Sequence, residues 1–183
     1  MHKALSVRQP WAWAILAPPI ECLGDVTLPK TIENRTWGTD YRGPLWIHAA
    51  KPHGQLGRME VQAAVGNLEE HLGLDHESIE AELVYGAILG VVDLVICRPR
   101  ERLQVAPEKR AWAGGPWCWV LARPRRLIEP IPYRGRQGLL GIPERILAGA
   151  QLERRCRLCG CTDEVGCAEG CWWVTDNQCS AHG

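Results

Sequence analysis

Leu5-Ser6-Val7-Arg8-Gln9-Pro10-Trp11-Ala12 alternates apolar and polar side chains and then meets a proline. Strand side chains alternate between faces, so residues 4–7 read as a strand. Pro10 suits a first helical turn, where its missing N–H costs nothing. Residues 10–16 therefore read as a short helix, stopped by Pro18-Pro19. The same alternation recurs in Lys30-Thr31-Ile32-Glu33-Asn34-Arg35-Thr36-Trp37 and in Tyr41-Arg42-Gly43-Pro44-Leu45-Trp46-Ile47-His48-Ala49. Residues 31–37 place Thr31, Glu33, Arg35 and Trp37 on one face and Ile32 on the other. Residues 45–51 place Leu45, Ile47 and Ala49 in a core, with Trp46 and His48 opposite.

Further along, residues 55–72 have helical spacing, with Leu56, Met59, Ala63, Ala64 and Leu68 on one face. Residues 87–97 are a β-branched run that suits a buried strand. Residues 117–122 form another, and 125–131 extend the sheet. Five or so short strands with two or three helices predict an α+β fold, a small mixed β-barrel with flanking helices.

The 183 residues suffice for one ordinary domain and a small appendage, and 46% hydrophobic content suits a buried core. Nine Trp and no Phe suggest rings used for recognition, because indole offers a wide stacking face and an N–H; a genome poor in Phe codons gives the same composition. The formal net charge of zero gives no support for non-specific DNA binding. Residues 60–82 carry Glu and Asp without Lys or Arg and are expected to face away from any phosphate. Residues 98–136 carry many Arg and allow a local basic surface. No apolar stretch spans a bilayer and the chain opens directly on a strand-like run, so a cytoplasmic location is expected.

Cysteine usage changes sharply along the chain. Cys22, Cys97 and Cys118 are scattered; Cys156, Cys159, Cys161, Cys167, Cys171 and Cys179 crowd together. This step predicts a boundary near residue 150, with one domain over 1–150 and a Cys-rich module over 151–183. In a reducing compartment nine cysteines point to metal rather than disulfides. Cys156 with Cys159, and Cys179 with His182, form C-x2-C and C-x2-H pairs that suit tetrahedral Zn(II). Cys161, Cys167 and Cys171 are alternates, either in that site, in a second site sharing ligands, or in an iron–sulfur cluster. Four protein ligands leave no open position for water, so the zinc is expected to be structural. So short a module needs metal to fold, with Trp172 and Trp173 as its core.

The candidate cleft combines Glu33, Arg35, Trp37, Trp46 and His48. Two rings would hold a base, an arginine would fork a phosphate or base edge, and a carboxylate would accept an amino group. Arg8, Gln9 and Trp11, at the strand-to-helix turn, would close it, with Lys30 and Tyr41 at its margin. The same residues also suit plainer roles: a surface Glu33–Arg35 ion pair, Trp11 and Trp37 capping the barrel, and His48 as a structural histidine.

Taken together, these segments, with Gly86-Ala87-Ile88-Leu89-Gly90-Val91-Val92-Asp93-Leu94 and Trp117-Cys118-Trp119-Val120-Leu121 in order, resemble the ASCH family. The resemblance covers roughly residues 3–148 and implies a PUA-like barrel that binds RNA, single-stranded nucleic acid or a modified base or nucleoside. The tail is similar to those of some prophage-encoded proteins. Some ASCH proteins hydrolyse the amide of N4-acetylcytidine through a motif resembling Lys-Thr-Ile-Thr, and others have been proposed as nucleases. Here Lys30, Thr31 and Ile32 match, while Glu33 replaces the second Thr. If the chain is an enzyme, Lys30 and Glu33 are the catalytic candidates. A third expectation is an adaptor that binds a protein partner through its zinc tail.

Overall fold

The computed structural model describes residues 1–19, 28–156, 158–163, 166–167, 170–175 and 178–182, without the side chains of His71, Glu108 and His182. The main sheet has six strands: β1 (His2–Arg8), β2 (Ile32–Arg35), β3 (Gly43–Ala50), β4 (Ala87–Pro99), β5 (Trp117–Pro132) and β6 (Leu139–Ile142). Their order is β2-β5-β4-β3-β1-β6. β1 and β3 run parallel, which requires a crossover, and helix α1 (Trp11–Leu16) lies within it. The other neighbours are antiparallel. The class is α+β, as expected from the strand and helix runs.

The runs at 117–122 and 125–131 are one strand, β5. They read as two because Arg123-Pro124 interrupts the pattern, and proline cannot donate to a ladder. The structure absorbs this break as a bulge: Asp93 pairs with Ala122, then Val91 with Arg125. Arg123 takes a positive φ of 51° there, and its Nε donates to the Asp93 carboxylate. Each bulge adds bend and twist. At Gly90, in the same bent region, a Cβ would sit 2.3 Å from the Arg125 carbonyl, so only glycine permits this approach.

The expected barrel takes the form of a curled sheet. No backbone ladder joins β2 to β1 among the described residues, yet Arg35 on β2 donates through Nη2 to the Ser6 carbonyl on β1 at 2.7 Å. A side chain therefore bridges across the curl. Inside lie Leu5, Val7, Leu45, Ile47, Leu94 and Trp119, covered by Ile15 and Leu16 of α1. Every α1 residue after Trp11 is buried, because the helix is sandwiched between the sheet and α2 (Gly54–Leu72). Gln9 is buried too. Its Oε1 accepts from the Trp13 N–H and its Nε2 donates to the Val84 carbonyl, satisfying a helix-start donor that has no partner within the helix.

Helix α2 forms where its spacing predicts, but it turns a different face inward. Val61, Val65, Leu68 and Leu72 are buried against Trp13 and against Ile79 of α3 (His76–Ala81). Leu56 and Met59 are 70% and 57% exposed. The 61/65/68/72 stripe is itself an i, i+4, i+7, i+11 series, and it shares Leu68 with the expected face. The short helices α4 (Pro107–Arg110) and α5 (Glu144–Leu147) precede β5 and follow β6. No helix among the described residues is long and apolar enough to cross a membrane.

This packing sets an expectation for chemical denaturation. Leu68→Ala destabilises the fold by about 2–5 kcal/mol through lost burial and a residual cavity. Leu56→Ala changes it by no more than about 0.5 kcal/mol, as an exposed site should. Equal losses would contradict the inward stripe.

Candidate functional site

The parallel β1–β3 register sets Ser6 beside His48 and Arg8 beside Ala50 on one face. This face, the end of β2 and the loop from Pro132 to Gly138 enclose a cleft of about 1080 Å³. Its walls carry Arg8, Arg35, Lys51, Arg134 and Arg136, together with Trp37, and no carboxylate among the described residues. Arg8 pairs with Glu60 at 2.7 Å across an exposed contact. Thus the acidic stretch 60–82, expected to face away, sends Glu60 to the cleft's rim. Lys51, Arg134 and Arg136 make no ion pair among the described residues, so the cleft's potential is positive.

Ser6 Oγ, Arg35 Nε and His48 Nδ1 are buried without a hydrogen-bond partner among the described residues. Buried polar atoms are rarely left so, and all three belong to residues lining this cleft. His48 Nε2 lies 2.9 Å from the Tyr133 carbonyl, which only accepts, so Nε2 carries the proton and Nδ1 is an acceptor. Burial holds the His48 pKa below its ordinary value, against the opposing pull of the Tyr133 carbonyl. Gly135 closes over this spot. A Cβ there would lie 2.6 Å from His48 Nδ1 and 2.7 Å from Ser6 Oγ.

The Lys30–Glu33–Arg35 cluster stands beside the cleft. Lys30 Nζ donates to Glu33 Oε2 at 2.6 Å and to the Ile32 carbonyl at 2.5 Å. Glu33 Oε1 meets Arg35 Nη2 at 3.1 Å. Lys30 and Glu33 are buried, so one carboxylate serves two cations and fixes the Arg35 guanidinium. Both open instead onto a second pocket of about 490 Å³, with Trp11, Asn34 and Trp112.

The structure brings Arg8, Arg35, Trp37 and His48 of the sequence-derived set to one cleft and puts the rest elsewhere. Trp37 packs edge-to-face on Trp119, with ring centroids 4.8 Å apart. Trp46 shares the His48 face but is buried with Ala4, Ile88, Val91 and Leu140, where the segment around β6 covers it. Gln9 supports α1. Trp11 lines the second pocket. The Tyr41 hydroxyl donates to the Pro44 carbonyl at 2.5 Å, stabilising the turn into β3. Sequence reading missed Ser6, Lys51, Arg134 and Arg136. Arg134-Gly135-Arg136 lies within the Arg-rich stretch, so the signal was present, but only the fold shows which of those arginines meet the cleft.

The second candidate centre lies in the tail. A two-stranded hairpin, β7 (Trp173–Thr175) with β8 (Gln178–Cys179), packs against the turn around Cys156 and Cys159. Cys156, Cys159, Cys161 and Cys179 lie with all sulfurs within 4.8 Å of one another, close enough to hold a metal ion. None of these thiols is in a disulfide. The expected ligand His182 has its side chain outside the described residues. Burial raises Cys156, but N–H groups, first that of Cys159, outweigh it and bring its pKa to about 6. Neighbouring thiols, first Cys159, push Cys167 up to about 12. Of the two expected core indoles only Trp173 packs on the cluster, its Nε1 donating to Asp163 at 2.5 Å; Trp172 is 73% exposed. Trp173 pairs with Cys179 in the hairpin, which sets it beside the sulfurs, while Trp172 precedes the strand.

The Cys-rich tail is anchored to the main sheet and to α1. Arg155 donates to the Ala17 and Leu16 carbonyls at 3.1 and 3.4 Å, at the C-terminal end of α1. Leu152 bridges to Leu127 of β5.

No protein-family model matches the chain. Activating signal cointegrator 1 of Homo sapiens is 30% identical over 149 residues, which is 80% of this chain. The Mus musculus protein of the same name is 29% identical over the same length. The chain spans about a quarter of those relatives, 23% of each. This similarity supports an ASCH-like relationship.

Proposed function

We propose that residues 1–150 are an ASCH-type, PUA-like domain that binds single-stranded nucleic acid, RNA or a modified base, in the cleft between β1, β3 and the Pro132–Gly138 loop. The observation that carries this reading is a cleft with, among the described residues, five cationic side chains, no carboxylate and three buried polar atoms without a hydrogen-bond partner. Phosphates would meet Lys51, Arg134 and Arg136. A base would lie along Trp37, and its edge would reach Ser6 Oγ, Arg35 Nε and His48 Nδ1, which offer both donors and acceptors, once the turn at Gly135 moves off them. Glu33 and Lys30 act as positioning residues that hold Arg35. Residues 151–183 form a module built on structural Zn(II).

The hydrolase reading retains one favourable observation: Lys30 and Glu33 share a pocket with Trp11 and Asn34. Against it, Lys30 Nζ already donates twice to buried oxygens. Mass spectrometry of modified nucleosides and short RNAs incubated with the protein separates the two. A product mass lost in Lys30→Ala supports the hydrolase, and unchanged substrates support the binder. The adaptor reading is the outcome if no oligonucleotide binds.

Fluorescence anisotropy with single-stranded oligonucleotides tests the cleft. The double variant Arg134→Ala/Arg136→Ala weakens binding at least about tenfold across sequences. It also makes the slope of log K against log salt shallower by about 1.4, at roughly 0.7 per phosphate contact. Parent-like affinity and slope would overturn the reading.

His48 yields a pH expectation. Its folded pKa lies below the ordinary 6.5, so below that pH the unfolded chain binds more protons than the folded one. Stability therefore falls as pH drops through 6.5 and levels off beneath the folded pKa. His48→Gln, which keeps a donor for the Tyr133 carbonyl, flattens that part of the profile. An identical acid dependence in both proteins would show that His48 is not the titrating group.

A further inference from the structure

The tail holds more thiols than one ion needs. Cys156, Cys159, Cys161 and Cys179 form one set, and Cys161, Cys167, Cys171 and Cys179 form another. In each set all sulfurs lie within 4.8 Å of one another. Together they use all six cysteines of the tail, and Cys161 and Cys179 belong to both. Thiolates bound to zinc at about 2.3 Å in a tetrahedron stand about 3.8 Å apart. The sulfur separations here are 3.5 Å for Cys159–Cys179, 3.7 Å for Cys161–Cys171 and 3.9 Å for Cys167–Cys179. Each is far longer than an S–S bond of about 2.05 Å.

We propose that the tail binds two Zn(II) ions in one thiolate cluster, with Cys161 and Cys179 bridging them. Cys156 and Cys159 complete the first ion's tetrahedron, and Cys167 and Cys171 complete the second. This deepens the zinc reading given above and rests on it. Backbone geometry supports a terminal thiolate on each ion. The Cys179 N–H points to Cys156 Sγ at 3.5 Å, and the Cys167 N–H points to Cys171 Sγ at 3.4 Å, so each set has an amide donor that offsets thiolate charge. The packing supports it as well. Among the described residues the cluster's apolar content is the cysteines and Trp173, too little to fold the module alone, whereas two ions tie all six cysteines together.

One distance favours a competing arrangement. Cys159 and Cys167, terminal ligands of different ions, are 3.6 Å apart. Two ions would push this pair apart, while a single ion could use Cys159, Cys161, Cys167 and Cys179. The choice is measurable on the full chain. Native mass spectrometry of protein produced with zinc should show two ions per chain. After exchange to cadmium-113, NMR should show two metal resonances coupled through the shared sulfurs. Cys171→Ser should keep one ion, because the first set stays complete, and Cys156→Ser should keep one by the same logic. One ion per parent chain would overturn the binuclear cluster and leave the zinc reading intact. Two uncoupled resonances would overturn the bridging. Iron with inorganic sulfide, or no metal at all, would overturn both.

Discussion

The cleft depends on a buried carboxylate held between two cations. Glu33 meets Lys30 on one oxygen and Arg35 on the other. Arg35 then reaches across to the Ser6 carbonyl. β2 is an edge strand bonded only to β5, and β1 lies four places away in the sheet. The guanidinium therefore links two strands that share no backbone ladder among the described residues, and it fixes how far the sheet curls. Buried ion pairs are poor sources of net stability, since desolvation offsets most of the attraction. Their use here is geometric. Removing Glu33 would leave the buried Lys30 without its counter-charge and the half-buried Arg35 held by the Ser6 carbonyl alone.

Much of this arrangement was legible in the sequence, for a physical reason. Period-2 alternation placed Arg35 and Trp37 together, and Ser6 with His48 follows once β1 and β3 are known to be parallel. What alternation cannot supply is which length of a face is covered. Trp46 and His48 point the same way, yet the segment around β6 buries one while the other lines the cleft. The Arg134-Gly135-Arg136 loop was illegible for the complementary reason. Loop residues have no period, so only the fold shows which wall they complete. Glu60 illustrates both limits. A charge run has no stated direction, and one turn of α2 near β1 is enough to bring a carboxylate to Arg8.

In the tail, the sequence displayed the ligands but not their grouping. C-x2-C and C-x2-H spacing favoured Cys156, Cys159, Cys179 and His182, because tight turns present two ligands at once. The structure keeps Cys156, Cys159 and Cys179 of that set together, with the His182 side chain outside the described residues, and adds sulfurs at longer spacings from Cys161, Cys167 and Cys171. Spacing rules describe pairs, and a cluster that shares ligands is not a sum of pairs.

The two centres meet through one short helix. α1 is six residues, about 9 Å long. At its start, Gln9 caps Trp13 and sits beside Arg8 on the cleft's rim. At its end, Arg155 of the tail holds the Leu16 and Ala17 carbonyls, where a cation also complements the helix dipole. Arg155 lies next to Cys156, so ordering of the thiol cluster orders the arginine that supports α1. A folded tail thus braces the helix whose other end sets the position of the cleft wall. This gives the cysteines a structural bearing on the cleft without lining it.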